Sequence, residues 1–232
     1  MYMKAVFTLM FGAVVLAQAT PPADRGAAIK ELLTQNQARL RTYSWVETTQ
    51  VTLKGEVKKE EQKQCFYGAD GKVQKTPIGA APAAAPQASG GGRGGRLKEK
   101  VVENKVDEMK DYMEKVAALV HEYVPPAPAK IQAAQAAGNV STQPSGTAVN
   151  LAIKDYSKPG DLLTIGADPT AKRLTSYRVQ SFVEKPKEDD VTLNVTFGAL
   201  QDGTSYPQQI LLDIAAKQIK VKITNSGYKK AG

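Results

Sequence analysis

The stretch TYSWVETTQVTLKGEV, Thr42 to Val57, alternates as a strand does when one face is dry and the other wet, and it sets Tyr43, Trp45, Val51 and Leu53 on a single side. Side chains that large need either a packed cover or a cavity to face. Gly55 stands where the chain can turn back through VKKEEQKQCFY, and the Asp70-Gly71 pair of GADGK is the dipeptide that tight hairpins favour. Residues 42–78 are therefore expected to form three antiparallel strands.

Upstream, Asp24 is placed to cap a helix over residues 24–40, whose Ile29, Leu32, Leu33 and Leu40 recur at helical spacing while the polar Asn36 breaks the stripe. Downstream, residues 79–96 read GAAPAAAPQASGGGRGGR, which offers too little apolar surface to offset the entropy of ordering it, so a flexible loop is expected. Gly90, Gly92 and Gly95 satisfy G-x-G-x-x-G, yet no strand leads into them and a dinucleotide site is not implied. A long helix comes next. Val102, Val106, Met109, Met113, Val116, Val120 and Tyr123 recur at steps of four and three, until Pro125 and Pro126 end the run. That stripe suits packing on a sheet, or the seam of a coiled coil. A shorter helix is expected near Ala129–Ala137, closed by Gly138 and Asn139.

The remainder returns to strands. Val149, Leu151 and Ile153 alternate with polar or small residues, LLTIG follows the turn SKPGD, and Tyr177, Val179 and Val183 alternate with Arg178 and Gln180. VTLNVTF sets Val191, Leu193, Val195 and Phe197 against Thr192, Asn194 and Thr196, and QQILLDI and IKVKI repeat the scheme. Eight or nine strands with helices only before and in the middle exclude the strand-helix rhythm of a parallel sheet. The expected fold is mostly β with helices (α+β): a curved antiparallel sheet or incomplete β-barrel covered by helices.

Lys4, the apolar run Ala5–Ala17 and the Ala17-Gln18-Ala19 signal have the pattern of a secretory signal peptide, residues 1–19, cleaved before Thr20. Residues 20–232 then form one domain in the periplasm. No cysteine follows the cleavage point, so the chain is not expected to be lipid-anchored. A net charge of +8 in an exported protein points to transient contact with anionic membrane surfaces rather than to nucleic acid, or to solubility alone. Cys65 is the single cysteine and is expected to act as a small buried hydrophobe.

Catalytic chemistry is sparse. His121 is the one histidine and reads as a surface residue, and no nucleophile elbow, zinc-ligand cluster or phosphate loop occurs. Asp189 and Asp190 adjoin within KPKEDD, which reads as a solvated hairpin turn. No enzymatic activity, metal or cofactor is expected.

The succession of an export signal, a first helix, TYSWVETTQVTLKGEV, the GADGK hairpin, middle helices and a meander closing with YPQQILLDIAAKQIKVKITNSGYKK resembles the LolA-like family of periplasmic lipoprotein carriers. The resemblance implies an incomplete antiparallel barrel lidded by helices, with acyl chains of a lipid or acylated protein between them. In this reading Tyr43, Trp45, Val51 and Leu53 line one part of the sheet wall. Val195, Phe197, Ile210, Leu212, Ile219 and Val221 line its far half, and Met109, Met113 and Val116 belong to the lid. Lys98, Lys100, Lys105 and Lys110 face outward from that lid. The alternative is an envelope protein-interaction module of the same fold with a filled core and no cargo.

Overall fold

The computed structural model describes residues 22–79, 95–145 and 148–230, with side chains described from residue 27 and, in the middle helix, from residue 107. The expected signal peptide, most of the 79–96 loop and the side chains of Lys98, Lys100, Val102, Lys105 and Val106 lie outside the described residues.

Helix α1 (Pro22–Leu40) leads into β1 (Tyr43–Leu53), β2 (Glu56–Tyr67) and β3 (Val73–Pro77). Helices α2 (Gly95–Tyr123) and α3 (Pro128–Ala136) come next. The meander then runs through β4 (Val140–Ser145), β5 (Ala148–Lys154), β6 (Leu162–Asp168), β7 (Arg173–Phe182), β8 (Asp190–Ala199), β9 (Ser205–Ile214) and β10 (Ile219–Lys230). All of these strands join one ten-stranded sheet in the order β3-β2-β1-β10-β9-β8-β7-β6-β5-β4. Every pairing is antiparallel, and β3 and β4 form the two edges, so the sheet is curved but not closed into a barrel.

Sequence pattern and structure differ at three places. The strand β4 was hidden because VSTQPS has no apolar alternation; it survives as an edge, where Pro144 need not donate to a further neighbour. Helix α1 begins at Pro22, which puts Asp24 inside the first turn rather than at the cap, as suits a proline with no amide hydrogen to satisfy. The 184–190 turn is not fully solvated. Asp189 is buried, because its carboxylate accepts the backbone N–H groups of Glu184 and Lys185 at 2.8 and 2.9 Å. The β1–β2 turn, by contrast, follows the sequence: Lys54 and Gly55 both take positive φ, 53° and 83°, as a two-residue turn matched to strand twist requires.

The core lies on the inner face of the meander. Leu151, Ile153, Leu163, Ile165, Val179, Leu193 and Ile214 are buried there, while their alternate neighbours face out. Helix α1 covers this face with Ile29, Leu32 and Leu33, and α3 adds Ile131 and Ala134. Helix α2 contributes Val116, Leu119 and Tyr123. Its C-terminal end is anchored by the Tyr123 hydroxyl, which donates to Asp161; that carboxylate also accepts the N–H groups of Tyr156, Ser157 and Lys158. The helix is thus tied to the SKPGD loop.

Asn36, the polar break in the first stripe, has a structural role. Its Nδ2 donates to the Ser205 carbonyl at 2.8 Å and its Oδ1 accepts the Ser205 N–H at 2.7 Å, which fastens α1 to the start of β9. Replacing it leaves two buried backbone groups without partners, at a cost of about 2–3 kcal/mol. Urea denaturation of Asn36→Ala and Asn36→Leu should show both variants destabilised by about this amount. A leucine variant more stable than the parent would show that apolar continuity of the stripe outweighs the clamp.

Candidate functional site

Strand alternation decides what the concave face carries. Odd-numbered residues of β1 from Trp45 to Val51 point inward, so Trp45, Glu47, Thr49 and Val51 share the concave face. The register extends this row. Glu47 lies opposite Asn225 on β10 and Lys63 on β2, Thr49 opposite Ile223 and Glu61, and Val51 opposite Val221 and Lys59.

Between this face and the helices lies a cavity of about 580 Å³, within the roughly 300–1,000 Å³ of small-molecule sites. One part is apolar. Tyr177, Phe197, Ile210 and Val221 form its sheet wall, Leu33 and Leu40 come from α1, and Met113, Val116 and Val120 from α2. Tyr177 and Phe197 meet edge to face, with ring centroids 4.6 Å apart. The other part is polar, built by Glu47, Lys59, Glu61, Lys63 and Lys75 from β1–β3, with Lys110, Glu114 and His121 from α2. Lining residues that reach solvent are Lys59, Lys75, Lys110, Glu114, Ala117, His121 and Pro125, so the cavity opens between α2 and strands β2 and β3.

The polar wall is internally paired. Lys75 Nζ reaches both oxygens of the buried Glu47 carboxylate at 2.8 and 2.9 Å, and a buried carboxylate of this kind requires such a partner. Glu61 accepts Lys63 at 2.8 Å and Lys59 at 2.9 Å. Burial pushes the Glu61 carboxyl up, but the two ammonium groups outweigh it and hold its pKa below the usual value. Cys65 is buried between Trp45 and Lys75 in the cross-strand row, and burial raises its thiol to about 11, so it behaves as a small hydrophobe. At the seam of the two walls Trp45 stacks on Tyr228, centroids 5.5 Å apart and planes 10° apart, and tilts against Tyr67. Trp45 Nε1 and Asn225 Oδ1 are buried without a hydrogen-bond partner among the described residues.

Of the residues expected at the site, Trp45, Val51, Phe197, Ile210, Val221, Met113 and Val116 meet around the cavity. Val195, Leu212 and Ile219 point the same way but are buried in the packed core. Leu53 packs against that core, and Tyr43 turns aside to donate its hydroxyl to Asp202 at 2.7 Å. Met109 is exposed, because among the described side chains α2 first touches the core one turn later, at Tyr112 and Met113. Lys110, expected to face outward, borders the cavity mouth. The charged wall was not anticipated, although its signal was present: Glu47 and Thr49 have the same parity as Trp45 and Val51, and Lys59, Glu61 and Lys63 repeat that parity on the returning strand.

The concave face of an open antiparallel sheet, under a helical cover, thus leaves a cavity. The chain is similar in architecture to a LolA superfamily protein from Nitrosomonas europaea, with 10% identity over 87% of this chain and 93% of that one, at a TM-score of 0.40. It is also similar to a DUF1329 family protein from Desulfovibrio piger, with 10% identity over 91% and 94% of the two chains and a TM-score of 0.38. No protein-family model matches the sequence, and no curated protein matches it.

His121 reports on this geometry. Although exposed at the rim, it is crowded by protein atoms and faces Lys75, and both lower its pKa from the ordinary 6.5 while Glu47 raises it. The neutral ring is therefore the one the fold favours. Stability that it contributes is present above pH 6.5 and is lost as pH falls through the lowered value. As the chain has a single histidine, its ring protons can be followed by NMR without assignment. They should titrate below 6.5, and titration at or above that value would contradict the placement of His121 beside Lys75.

Proposed function

We propose that this protein is a non-enzymatic lipid or acylated-protein carrier of the periplasm, which holds an acyl chain between the meander and the α1–α2 cover. The observation that carries the reading is the apolar part of the cavity, with Phe197, Ile210 and Val221 on one side and Met113, Val116 and Val120 on the other. Each methylene withdrawn from water contributes about 0.8 kcal/mol, so a chain of about 16 carbons represents on the order of 10 kcal/mol before the costs of binding. An alkyl chain of that size crosses an aqueous compartment only when enclosed. The mouth beside α2 supplies an entrance, and the methionine on the lid adapts to chains of different shape.

Export fits the same reading: residues 1–19 act as a cleaved signal peptide, and the domain from residue 20 carries its cargo between membranes. Among the described residues no helix is long and apolar enough to cross a membrane.

Gentle purification followed by mass spectrometry should find lipid bound to the protein. Trp45, the single tryptophan, lies in the cavity wall, so an emission change on adding a fluorescent fatty acid at a stoichiometry of one reports occupancy. Ala117→Phe, at the exposed rim, should abolish that binding while leaving the melting temperature unchanged, because the larger side chain obstructs the mouth without entering the core and leaves Trp45 the single tryptophan. A protein free of lipid that also fails to bind the fatty acid would remove the carrier reading in favour of an interaction module.

A further inference from the structure

The cavity has two ends of different chemistry, and the division follows strand order. The inward positions of β7–β10 that line the cavity are aliphatic or aromatic apart from Asn225, whereas Lys59, Glu61 and Lys63 of β2, with Glu47 on β1 and Lys75 on β3, form an ionic patch. An ionic inner face cannot be covered by an apolar helix surface, because each charge would lose its hydration. Its members that reach solvent, Lys59 and Lys75, mark the mouth. The balance of charge there is positive. Lys59 and Lys63 share the single carboxylate of Glu61, while Lys75 occupies Glu47. Across the opening Lys110 and Glu114 have no ion-pair partner among the described residues, and depression of its pKa keeps His121 neutral. Four ammonium groups thus face three carboxylates around the cavity.

We infer that the ligand is an amphiphile with an anionic head, its alkyl tail lying under β7–β10 and its oxyanion held at the mouth by Lys59, Lys63, Lys75 and Lys110. This rests on the carrier reading above and adds to it the polarity and orientation of the cargo. One negative charge balances the site: a carboxylate or phosphate draws one ammonium of the Glu61 pair toward itself and leaves the other on the glutamate. A cationic head in the same place would meet the lysine excess in a partly desolvated setting, where like charges repel more than in water.

The test compares heads on a constant tail. Dodecanoate, dodecyl phosphate, dodecyl maltoside and dodecyltrimethylammonium, each kept below its micellar concentration, are titrated into the full chain with Trp45 emission as the readout. Both anions should bind about tenfold more tightly than the cation. The preference should be strong at about 10 mM salt and small at about 1 M. A combined Lys59→Gln and Lys63→Gln variant should lose most of the anion preference while keeping its affinity for the maltoside. Lys222→Gln, an exposed lysine on the same sheet but outside the cavity, should leave it intact. Equal binding of all heads, preference for the cation, or the same loss in Lys222→Gln would overturn the inference while leaving the carrier reading in place. Binding of none of the four would instead remove the carrier reading and this inference with it.

Discussion

Pairing of β1 with β10 holds the two halves of the sheet together. It joins residues 43–53 to residues 219–230, more than 160 positions away, and among the described residues it is the sole ladder between the N-terminal hairpins and the C-terminal meander. The register sets Val51 against Val221, Thr49 against Ile223 and Glu47 against Asn225. A slip of one residue would turn Trp45 and Val51 outward and bring Thr48 and Gln50 into the cavity wall. Contacts this distant in sequence must offset a large loop-closure entropy, and here the offset comes from a long ladder together with the aromatic cluster of Trp45, Tyr67 and Tyr228 at its end.

The inner surface changes character at that seam, and the helices follow the change. On the meander side the strands present isoleucine, leucine and valine, so α1, α3 and the C-terminal half of α2 can pack there at ordinary core density. On the β1–β3 side the strands present lysine and glutamate, and no apolar helix face can close over them. The cover therefore ends partway across the sheet. The space left at its margin is apolar at depth and charged at its mouth, a consequence of where the residues lie in the register.

Much of the fold was legible in the sequence because its strands are half-buried and alternate cleanly. VTLNVTF, QQILLDI and IKVKI show their inner faces directly, as does the stripe of α2 from Met113 to Tyr123. β4 was not legible, since an edge strand with few neighbours places little demand on its side chains. The site was half legible. Attention to large apolar residues found Trp45, Val51, Phe197, Ile210 and Val221 but passed over Glu47, which alternation had already placed among them. Nor can periodicity say how far along a stripe the covering contact extends. Met109 continues the pattern of α2 and yet stands in solvent, one turn before the described side chains of the helix reach the core, whereas Val195, Leu212 and Ile219 have the right parity but are closed over by neighbours. Asn36 shows the opposite case: a residue that breaks a pattern because a backbone strand end across the core requires its amide.

The proposed cargo places an alkyl tail in the space between Met113, Phe197 and Ile210, with its head toward Lys63 and Lys75. Diffraction from crystals grown with a fatty acid brominated at its terminal carbon would locate that carbon by anomalous scattering. One bromine peak is expected in the apolar part of the cavity, with carboxylate density near the lysines at the mouth. A bromine on the outer surface, or the cavity collapsed and empty beside a fully occupied ligand elsewhere, would contradict it.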